Sequence, residues 1–304
     1  MMDHAADTIL VTGSGGQLGR YLMAACRDQG YRVVGLGANP RTGVDIEVDI
    51  ADAEAVGAAI DKIRPDTVIH GAAYTDVDGC ERDPEKADRV NHLGAANVAG
   101  AAKNAGSRLI AIGTDFVFSG KQEEPYSERD TPDPVSVYGS TKLAGERAVV
   151  DTDPSFAVVR TAWVYGGAGK HFPRTVLTMV RDRGAMTVVD DEVSNPTFAS
   201  DLADCLVALI DERPAGILHL TNEGSVNRYG LARAVVEAAG GDPEVIQPTS
   251  TEAFLRSYPL PAKRPVNSSL ANNRARALGV TPPGWRDAIN RYVPALAREV
   301  SGQG

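Results

Sequence analysis

The sequence of 304 residues has few cysteines, no excess of basic residues and no long hydrophobic run. Its three cysteines, Cys26, Cys80 and Cys205, are odd in number and widely spaced, and neither a CxxC pair nor a Cys/His cluster accompanies them. This spacing disfavours both a disulfide framework and structural zinc. It is typical of buried thiols in a reducing compartment.

The charge balance is acidic. The chain carries 31 Lys and Arg against 40 Asp and Glu, a formal net charge of −9. Nucleic acids and anionic membranes require a basic face, so neither is an expected partner, although a small anionic substrate needs only a few local donors. No stretch approaches the length of a membrane span, and segment 1–7 lacks the apolar core of a signal peptide. We therefore expect a soluble, cytoplasmic protein.

The residue pair most indicative of chemistry is Tyr138 with Lys142, at the start of a predicted helix that Ser136 is placed to cap. Residues four apart project from the same face of a helix. An ammonium beside a phenol favours the phenolate, so we expect Lys142 to lower the pKa of Tyr138 and make it a proton donor to a carbonyl under reduction. The alternative is a surface Tyr and Lys that meet at helical spacing by chance.

A glycine-rich turn follows the first apolar run, Thr8–Thr12. Its glycines are spaced Gly13-xx-Gly16-xx-Gly19, which differs from the GxGxxG of the common dinucleotide fingerprint. The physical basis is shared, because glycine lets the backbone approach a pyrophosphate at a helix N-terminus, where the dipole favours anions. A strand-to-helix turn without a ligand is the alternative.

The second predicted strand, Arg32–Leu36, ends without the acidic residue that usually binds the ribose of NAD. Arg41 follows and suits the 2′-phosphate of NADP, which favours NADPH and leaves NADH open. Arg41 is equally explained as a solvated loop residue. A third strand is predicted at 44–49, and the acid at its end, Asp49, stands where the adenine is contacted in such folds.

Two later strands end in residues suited to ligands. The strand Thr67–His70 runs into small residues that suit close passage beside a cofactor, and we interpret His70 itself as a packed strand residue. The strand at 108–114 ends at Thr114, whose hydroxyl either sits over the cofactor beside Tyr138 or simply caps the strand. The acidic segment at 75–81 is interpreted as a solvated loop rather than a metal site.

Strand and helix alternate about five times over the first half of the chain, which predicts an α/β fold with a doubly wound parallel sheet of Rossmann type. We assign residues 1–165 to a dinucleotide-binding domain, with 193–222 returning to it. A smaller C-terminal substrate-binding lobe takes 166–192 and 223–304. Helices are predicted at 51–63, 84–105, 171–182, 199–210, 228–239 and around 285–297, and later strands at 156–160, 187–189 and 217–220.

Ordered motifs carry a resemblance to a known family. They are GSGGQLG at 13–19, AAYTDVD at 72–78, TDFVFSG at 114–120, YGSTK at 138–142, RTAWVY at 160–165, NPT at 195–197 with DLA at 201–203, and RPVNS at 264–268. Over nearly the whole chain this set resembles the dTDP-4-dehydrorhamnose reductase family of extended short-chain dehydrogenases/reductases.

The resemblance implies reduction of the C4 keto group of a dTDP-4-keto-6-deoxysugar, most directly dTDP-4-dehydro-L-rhamnose. It implies that Tyr138 protonates the C4 oxygen, that Lys142 binds the nicotinamide ribose and tunes Tyr138, and that Thr114 hydrogen-bonds the carbonyl. The implied cofactor-binding residues are Gly13, Gly16, Gln17, Leu18, Asp49, Ile50, Ala72, Ala73 and Tyr74, to which the strand pattern adds Arg41. The implied substrate contacts are Val77, Thr114, Phe116, Trp163, Asn195 and Arg264.

Two positions depart from the family's usual pattern, with Phe116 in place of Tyr and Ser119 in place of Asp. They leave open a reductase of a different dTDP-4-keto-6-deoxyhexose from a secondary-metabolite pathway. A nucleotide-sugar 4-epimerase or dehydratase is a further alternative, and so is a non-catalytic subunit similar to the methionine adenosyltransferase β subunit. Some relatives resemble magnesium-linked dimers, so a homodimer and Mg²⁺ stay open, although no ligand set in the sequence indicates a metal.

Overall fold

The computed structural model describes residues 7–302, and the predictions made for 1–6 and 303–304 lie outside that range. The strands are β1 (Thr8–Thr12), β2 (Arg32–Gly37), β3 (Ile46–Glu47), β4 (Thr67–His70), β5 (Arg108–Thr114), β6 (Ala157–Thr161), β7 (Val164–Tyr165), β8 (Met186–Val189), β9 (Val193–Ser194), β10 (Thr197–Phe198), β11 (Gly216–His219), β12 (Val226–Asn227) and β13 (Ile246–Thr249). The helices are α1 (Gln17–Asp28), α2 (Ala53–Ile63), α3 (Val77–Arg82), α4 (Pro84–Asp88), α5 (Gly94–Ala105), α6 (Val137–Thr152), α7 (Phe172–Arg183), α8 (Ala199–Glu212), α9 (Arg228–Ala238), α10 (Thr251–Ser257), α11 (Asn273–Ala277) and α12 (Trp285–Val300).

Seven strands form the main sheet, in the order β11-β6-β5-β4-β1-β2-β3. Every neighbouring pair in it is parallel. The strand order reverses between β1 and β4, and in such sheets ligands bind in the crevice beyond the carboxyl ends of the strands at that point. The predicted Rossmann-like sheet is therefore confirmed, and its topology places a ligand crevice beside the glycine turn.

Two helical layers cover the sheet because the side chains of each strand alternate between its faces. In β1, Ile9 and Val11 join the apolar core beneath α1 and α8, whereas Leu10 joins the core beneath α2, α5 and α6. All five residues of β1 are buried. Burial on both faces explains why this strand is an uninterrupted apolar run in the sequence.

A third apolar core lies outside the main sheet, among α7, α9 and α12. Short strand pairs border it: β8 with β13, β9 with β12, and β7 with β10. The chain returns to the main sheet at β11, which pairs with β6 at the sheet edge. The assignment of these segments to a substrate-binding lobe stays a prediction.

Two predicted elements differ from the structure. The third strand is confined to Ile46–Glu47, because a turn in which the Val44 N–H donates to the Arg41 carbonyl precedes it. The single helix predicted at 84–105 is interrupted by a π-helical turn, Arg89–Leu93. In that turn the Asn91 side chain bonds the backbone of Tyr74, so the wider turn ties the helix to the loop after β4.

Within residues 7–302, none of the helices has both the length and the apolar character needed to cross a membrane.

Candidate active site

A cavity of about 840 Å³ lies at the carboxyl ends of β1, β2, β4, β5 and β6. It brings together residues that are far apart in the sequence. The predicted site residues in its lining are Gly13, Gly16, Gln17, Leu18, Arg41, Asp49, Ile50, Ala72, Ala73, Tyr74, Val77, Thr114, Phe116, Tyr138, Lys142, Trp163 and Arg264.

The glycine turn forms one wall of this cavity. Gly13 has φ +70°, and a Cβ there would lie 2.8 Å from the Cα of Ala72, so glycine is required both by the backbone and by the close approach of the loop after β4. The turn leads into α1, whose N-cap residue Gly16 provides no side-chain hydrogen bond and whose first turn carries no acid. These features fit a pyrophosphate on the first N–H groups of α1.

Several basic side chains line the cavity beyond β2. The segment Gly37-Ala38-Asn39 lines the cavity without an acid and is followed by Arg41, and Lys86 and Arg89 line the same cavity. The ammonium of Lys86 sits 4.5 Å from the centroid of the Tyr74 ring. A segment 37–39 without an acid, followed by Arg41, fits an anionic group of the kind that NADP carries on its ribose.

Helix α6 carries Tyr138 and Lys142, which line another part of the cavity. The predicted N-cap is confirmed, because the hydroxyl of Ser136 accepts the N–H of Gly139 at 3.1 Å. Gly139 has no Cβ, and one placed there would overlap the carbonyl oxygen of Phe116. The helix can therefore approach the turn after β5 closely enough for Tyr138 to meet Thr114.

Thr114, Tyr138 and Lys142 share this wall of the cavity. The Tyr138 ring packs edge-on against Phe116, with centroids 5.6 Å apart. The ammonium of Lys142 is buried and donates to the carbonyl oxygen of Ile112 at 2.7 Å. A phenol, a hydroxyl and a cation are thus arranged around one end of the cavity.

The prediction that the pKa of Tyr138 lies below its ordinary value is wrong for this structure. Burial raises the pKa of Tyr138, a hydrogen bond with Thr114 opposes that effect, and the charge of Asp115 adds to it. Burial also lowers the pKa of Lys142, against the charge of Glu146. Tyr138 is consequently a neutral phenol at ordinary pH, which retains its proton until a strong acceptor develops beside it.

Behind Lys142 lies a buried ion pair. Glu146 Oε2 accepts from Arg160 Nε at 2.9 Å and from Arg160 Nη2 at 2.8 Å, and both side chains are 4% exposed. Glu146 follows Lys142 by one helical turn, so the pair anchors α6 to β6 directly beneath the candidate catalytic residues. Desolvated pairs of this kind are costly to break on one side.

Among the predicted substrate contacts, Asn195 is not brought to this cavity or to the second one described below, within residues 7–302. It is 3% exposed, its amide nitrogen donates to the Gly224 carbonyl at 2.8 Å, and its oxygen accepts the Leu270 N–H at 2.7 Å. Asn195 therefore holds backbone segments together. His70 is a packed residue, as predicted, with Nδ1 2.7 Å from the Thr12 hydroxyl oxygen.

Arg228 was not predicted from the sequence. Its guanidinium carbon lies 3.7 Å from the centroid of the Trp163 ring, and its Nε is 3.6 Å from Glu192. Trp163 has φ +40°, a strained conformation that recurs at ligand sites. Arg228 and Arg264 line both the first cavity and a second one of about 760 Å³. In the sequence Arg228 is an ordinary helix start, so no local signal marks it.

Asp115 is a second residue of the site that the sequence analysis did not predict. It is 2% exposed and lines the first cavity beside Thr114. Burial raises the pKa of Asp115 to about 6, against hydrogen bonds from Ser268, Ser194 and Thr114 that lower it. Within the described part of the chain, no three His, Cys, Asp or Glu side chains form a group able to hold a metal ion.

The parallel sheet, the glycine turn at its switch point and the wall of Thr114, Tyr138 and Lys142 define an extended short-chain dehydrogenase/reductase. The family model described as the RmlD substrate binding domain matches residues 7–298. The dTDP-4-dehydrorhamnose reductase of Mycobacterium tuberculosis is 40% identical over 97% of this chain and 95% of its own. The chain belongs to the dTDP-4-dehydrorhamnose reductase family.

Two further relatives refine the comparison. A Bacillus anthracis dTDP-4-dehydrorhamnose reductase, solved in complex with NADP, superimposes with a TM-score of 0.86 at 32% identity, covering 94% of this chain and 98% of that one. A Streptomyces antibioticus protein is named a probable dTDP-4,6-dihydroxy-2-methyloxan-3-one 4-ketoreductase. It is 37% identical over 94% of this chain and 95% of its own. Relatives of this chain are therefore named for more than one sugar.

Proposed function

We propose that this protein reduces the C4 keto group of a dTDP-4-keto-6-deoxysugar with NADPH, converting dTDP-4-dehydro-L-rhamnose to dTDP-L-rhamnose. The observation that carries the proposal is the meeting of Thr114, Tyr138 and Lys142 on the wall of a cavity that begins at the glycine turn. The names of the relatives support the same reaction.

Tyr138, Thr114 and Lys142 have different roles in the proposed reduction. NADPH, when bound, supplies the hydride. Tyr138, neutral and half-enclosed beside Phe116, donates its proton to the carbonyl oxygen as negative charge develops there. Thr114 holds its hydroxyl group beside that phenol, and Lys142 places a positive charge nearby that favours the phenolate left behind.

The substrate's nucleotide is assigned to the second cavity. Its lining is mainly apolar, as a base and a deoxyribose require, and includes Phe172, Val188 and Phe254. Arg228 and Arg264 stand where the two cavities adjoin, so they are placed to bind the diphosphate between base and sugar. On this proposal 166–192 and 223–304 act as the substrate-binding lobe.

Arg41 is proposed to select NADPH over NADH through the 2′-phosphate. Replacing it in Arg41→Ala is expected to raise the KM for NADPH about tenfold, since a partly exposed charge-assisted hydrogen bond contributes about that much. The KM for NADH should not change. Steady-state kinetics with each cofactor measures both values, and Arg147→Ala, an exposed arginine on α6, is the matched control. An equal increase in the KM for NADPH and the KM for NADH would contradict the assignment.

The reaction itself is tested by the loss of absorbance at 340 nm when purified protein receives NADPH and dTDP-4-dehydro-L-rhamnose. The product is identified by NMR as dTDP-L-rhamnose. Protein that binds NADPH and leaves this sugar unreduced would contradict the proposal. An epimerase would carry tightly bound NAD through purification, so the absorbance of the isolated protein separates that alternative.

A second candidate function is reduction of a different dTDP-4-keto-6-deoxyhexose. It is favoured by Phe116, which presents a ring without a hydroxyl beside Tyr138, and by the name of the Streptomyces antibioticus relative. Comparing kcat/KM across a panel of dTDP-4-keto-6-deoxysugars decides between the two. We further propose that the protein works in the cytosol, in accord with three free cysteines. A homodimer stays a prediction, which light scattering checks.

A further inference from the structure

Asp115 has an enclosed carboxyl group whose hydrogen-bond partners are hydroxyls rather than a cation. Its Oδ1 accepts from the Thr114 hydroxyl at 3.2 Å. Its Oδ2 accepts from Ser194 at 3.1 Å and from Ser268 at 2.5 Å. The carboxyl group is therefore fixed on both oxygens, and one of these contacts leads directly to the candidate catalytic wall.

The two serines are held by backbone pairing. The Ser268 N–H donates to the Val193 carbonyl at 2.9 Å, and the Val193 N–H donates to the Val266 carbonyl at 2.7 Å. Ser194 and Ser268 are almost completely buried. They form a rigid support on the side of Asp115 away from Thr114, so the carboxyl group cannot turn without breaking both contacts.

Thr114 depends on this support for its orientation. A hydroxyl has one proton to donate, and Thr114 gives it to Asp115. The oxygen of Thr114 accepts the N–H of Phe116 at 3.3 Å, and the side chain lies within hydrogen-bonding reach of the Tyr138 phenol. Without the carboxylate, rotation about χ1 would be open to the threonine side chain, and the hydroxyl would lose its fixed place beside Tyr138.

We propose that Asp115 is a positioning residue for the ketone reduction and acts through the hydroxyl of Thr114. The inference rests on the proposed function and deepens it, because it adds to the Thr, Tyr and Lys set a carboxyl group that acts by holding the Thr114 hydroxyl in place. Misplacing a reacting group by about 1 Å costs on the order of 100-fold in rate. Asp115 thus acts on the turnover step rather than on substrate affinity.

A double-mutant cycle tests this role. Asp115→Asn keeps the volume and is expected to lower kcat by about 10- to 100-fold, with the KM changed less than about threefold. Thr114→Val removes the hydroxyl, and in that background Asp115→Asn should cost no further activity. Asp153→Asn is the matched control, since that carboxyl group also accepts from a serine hydroxyl but lies outside both cavities, and it should leave kcat unchanged. If the two substitutions lowered kcat independently, so that their fold-losses multiplied in the double variant, the proposal would be overturned.

A second measurement needs no substrate. In protein labelled with ¹³C on threonine methyl groups, Thr114→Val identifies the resonance of Thr114. Asp115→Asn should shift that resonance, because the Thr114 side chain would then exchange between rotamers. Ser268→Ala should cause a smaller shift of the same resonance. Asp153→Asn should leave it in place. An unchanged Thr114 resonance in Asp115→Asn would overturn the proposal.

The two measurements separate two kinds of failure. Absence of turnover by the unmodified protein with every dTDP-4-keto-6-deoxysugar refutes the proposed function, and the Thr114 resonance still decides whether Asp115 orients the hydroxyl. If Asp115→Asn does not fold, Ser268→Ala supplies the same cycle with Thr114→Val. Coupling in that cycle supports the proposal and additivity overturns it.

Discussion

Tyr138→Phe is expected to lower kcat for ketone reduction by about 100- to 10,000-fold, because the variant keeps the ring and loses the proton that the carbonyl oxygen must receive. The affinity for NADPH should change little, since the phenyl ring still packs against Phe116. Absorbance at 340 nm gives kcat, and fluorescence titration gives the Kd of the cofactor.

Tyr258→Phe is the matched control for this variant. Tyr258 is 62% exposed and lies outside the lining of both cavities, so its phenol has no part in the reaction. The control should turn over at the unmodified rate. A Tyr138→Phe variant that retained more than about a tenth of the activity would show that another group delivers the proton.

Arg160→Met is expected to destabilise the fold by about 3–5 kcal/mol, because it leaves the carboxylate of Glu146 buried without its cation. The two side chains are 4% exposed and share two short contacts, so water cannot take the place of the lost partner. The free energy of unfolding is measured by urea denaturation. At the site, loss of the anchor beneath Lys142 should also lower kcat.

Removing both charges together should be far less damaging than removing one. In Glu146→Leu/Arg160→Met no unpaired charge remains, and apolar replacements of a buried pair are often close to neutral. Arg256→Met is the control, because Arg256 and Glu252 form an exposed pair at 71% and 83% exposure. Its unfolding midpoint should stay near that of the unmodified protein. A double variant as unstable as Arg160→Met would show that packing, rather than charge, dominates at this position.

The fold could be predicted from the sequence because its signals are local. Apolar runs such as Thr8–Thr12 are explained by burial on both faces of one strand, and Ser136 is recognisable as an N-cap three residues before the N–H that it accepts. The broken helix at 84–105 was not predictable in this way. Its π-helical turn accompanies the contact between Asn91 and the loop after β4. The residue pattern of the helix alone does not predict that contact.

Most of the site residues predicted from the sequence line the first cavity, whereas Asn195 was misplaced, Arg228 and Asp115 were not predicted, and the electrostatics of the site was not predicted. The strand ends and the glycine turn meet in one cavity because carboxyl ends of parallel strands share one edge of a sheet. The sequence predicted a lowered pKa for Tyr138, whereas the structure raises it. Proximity at helical spacing is a local property, but the burial that outweighs it comes from every element packed around the phenol.

The sequence by itself determined the individual strands, the glycine turn and the placing of Tyr138 and Lys142 on one helix, since each depends on residues within a few positions of one another. Only the tertiary structure decided that Asn195 supports backbone and that Arg228 joins two cavities. It also decided that Asp115 is clamped by Ser194 and Ser268, which are 79 and 153 residues away along the chain. Contacts between residues so far apart in the chain depend on how the helices and strands pack, so the local sequence pattern does not predict them.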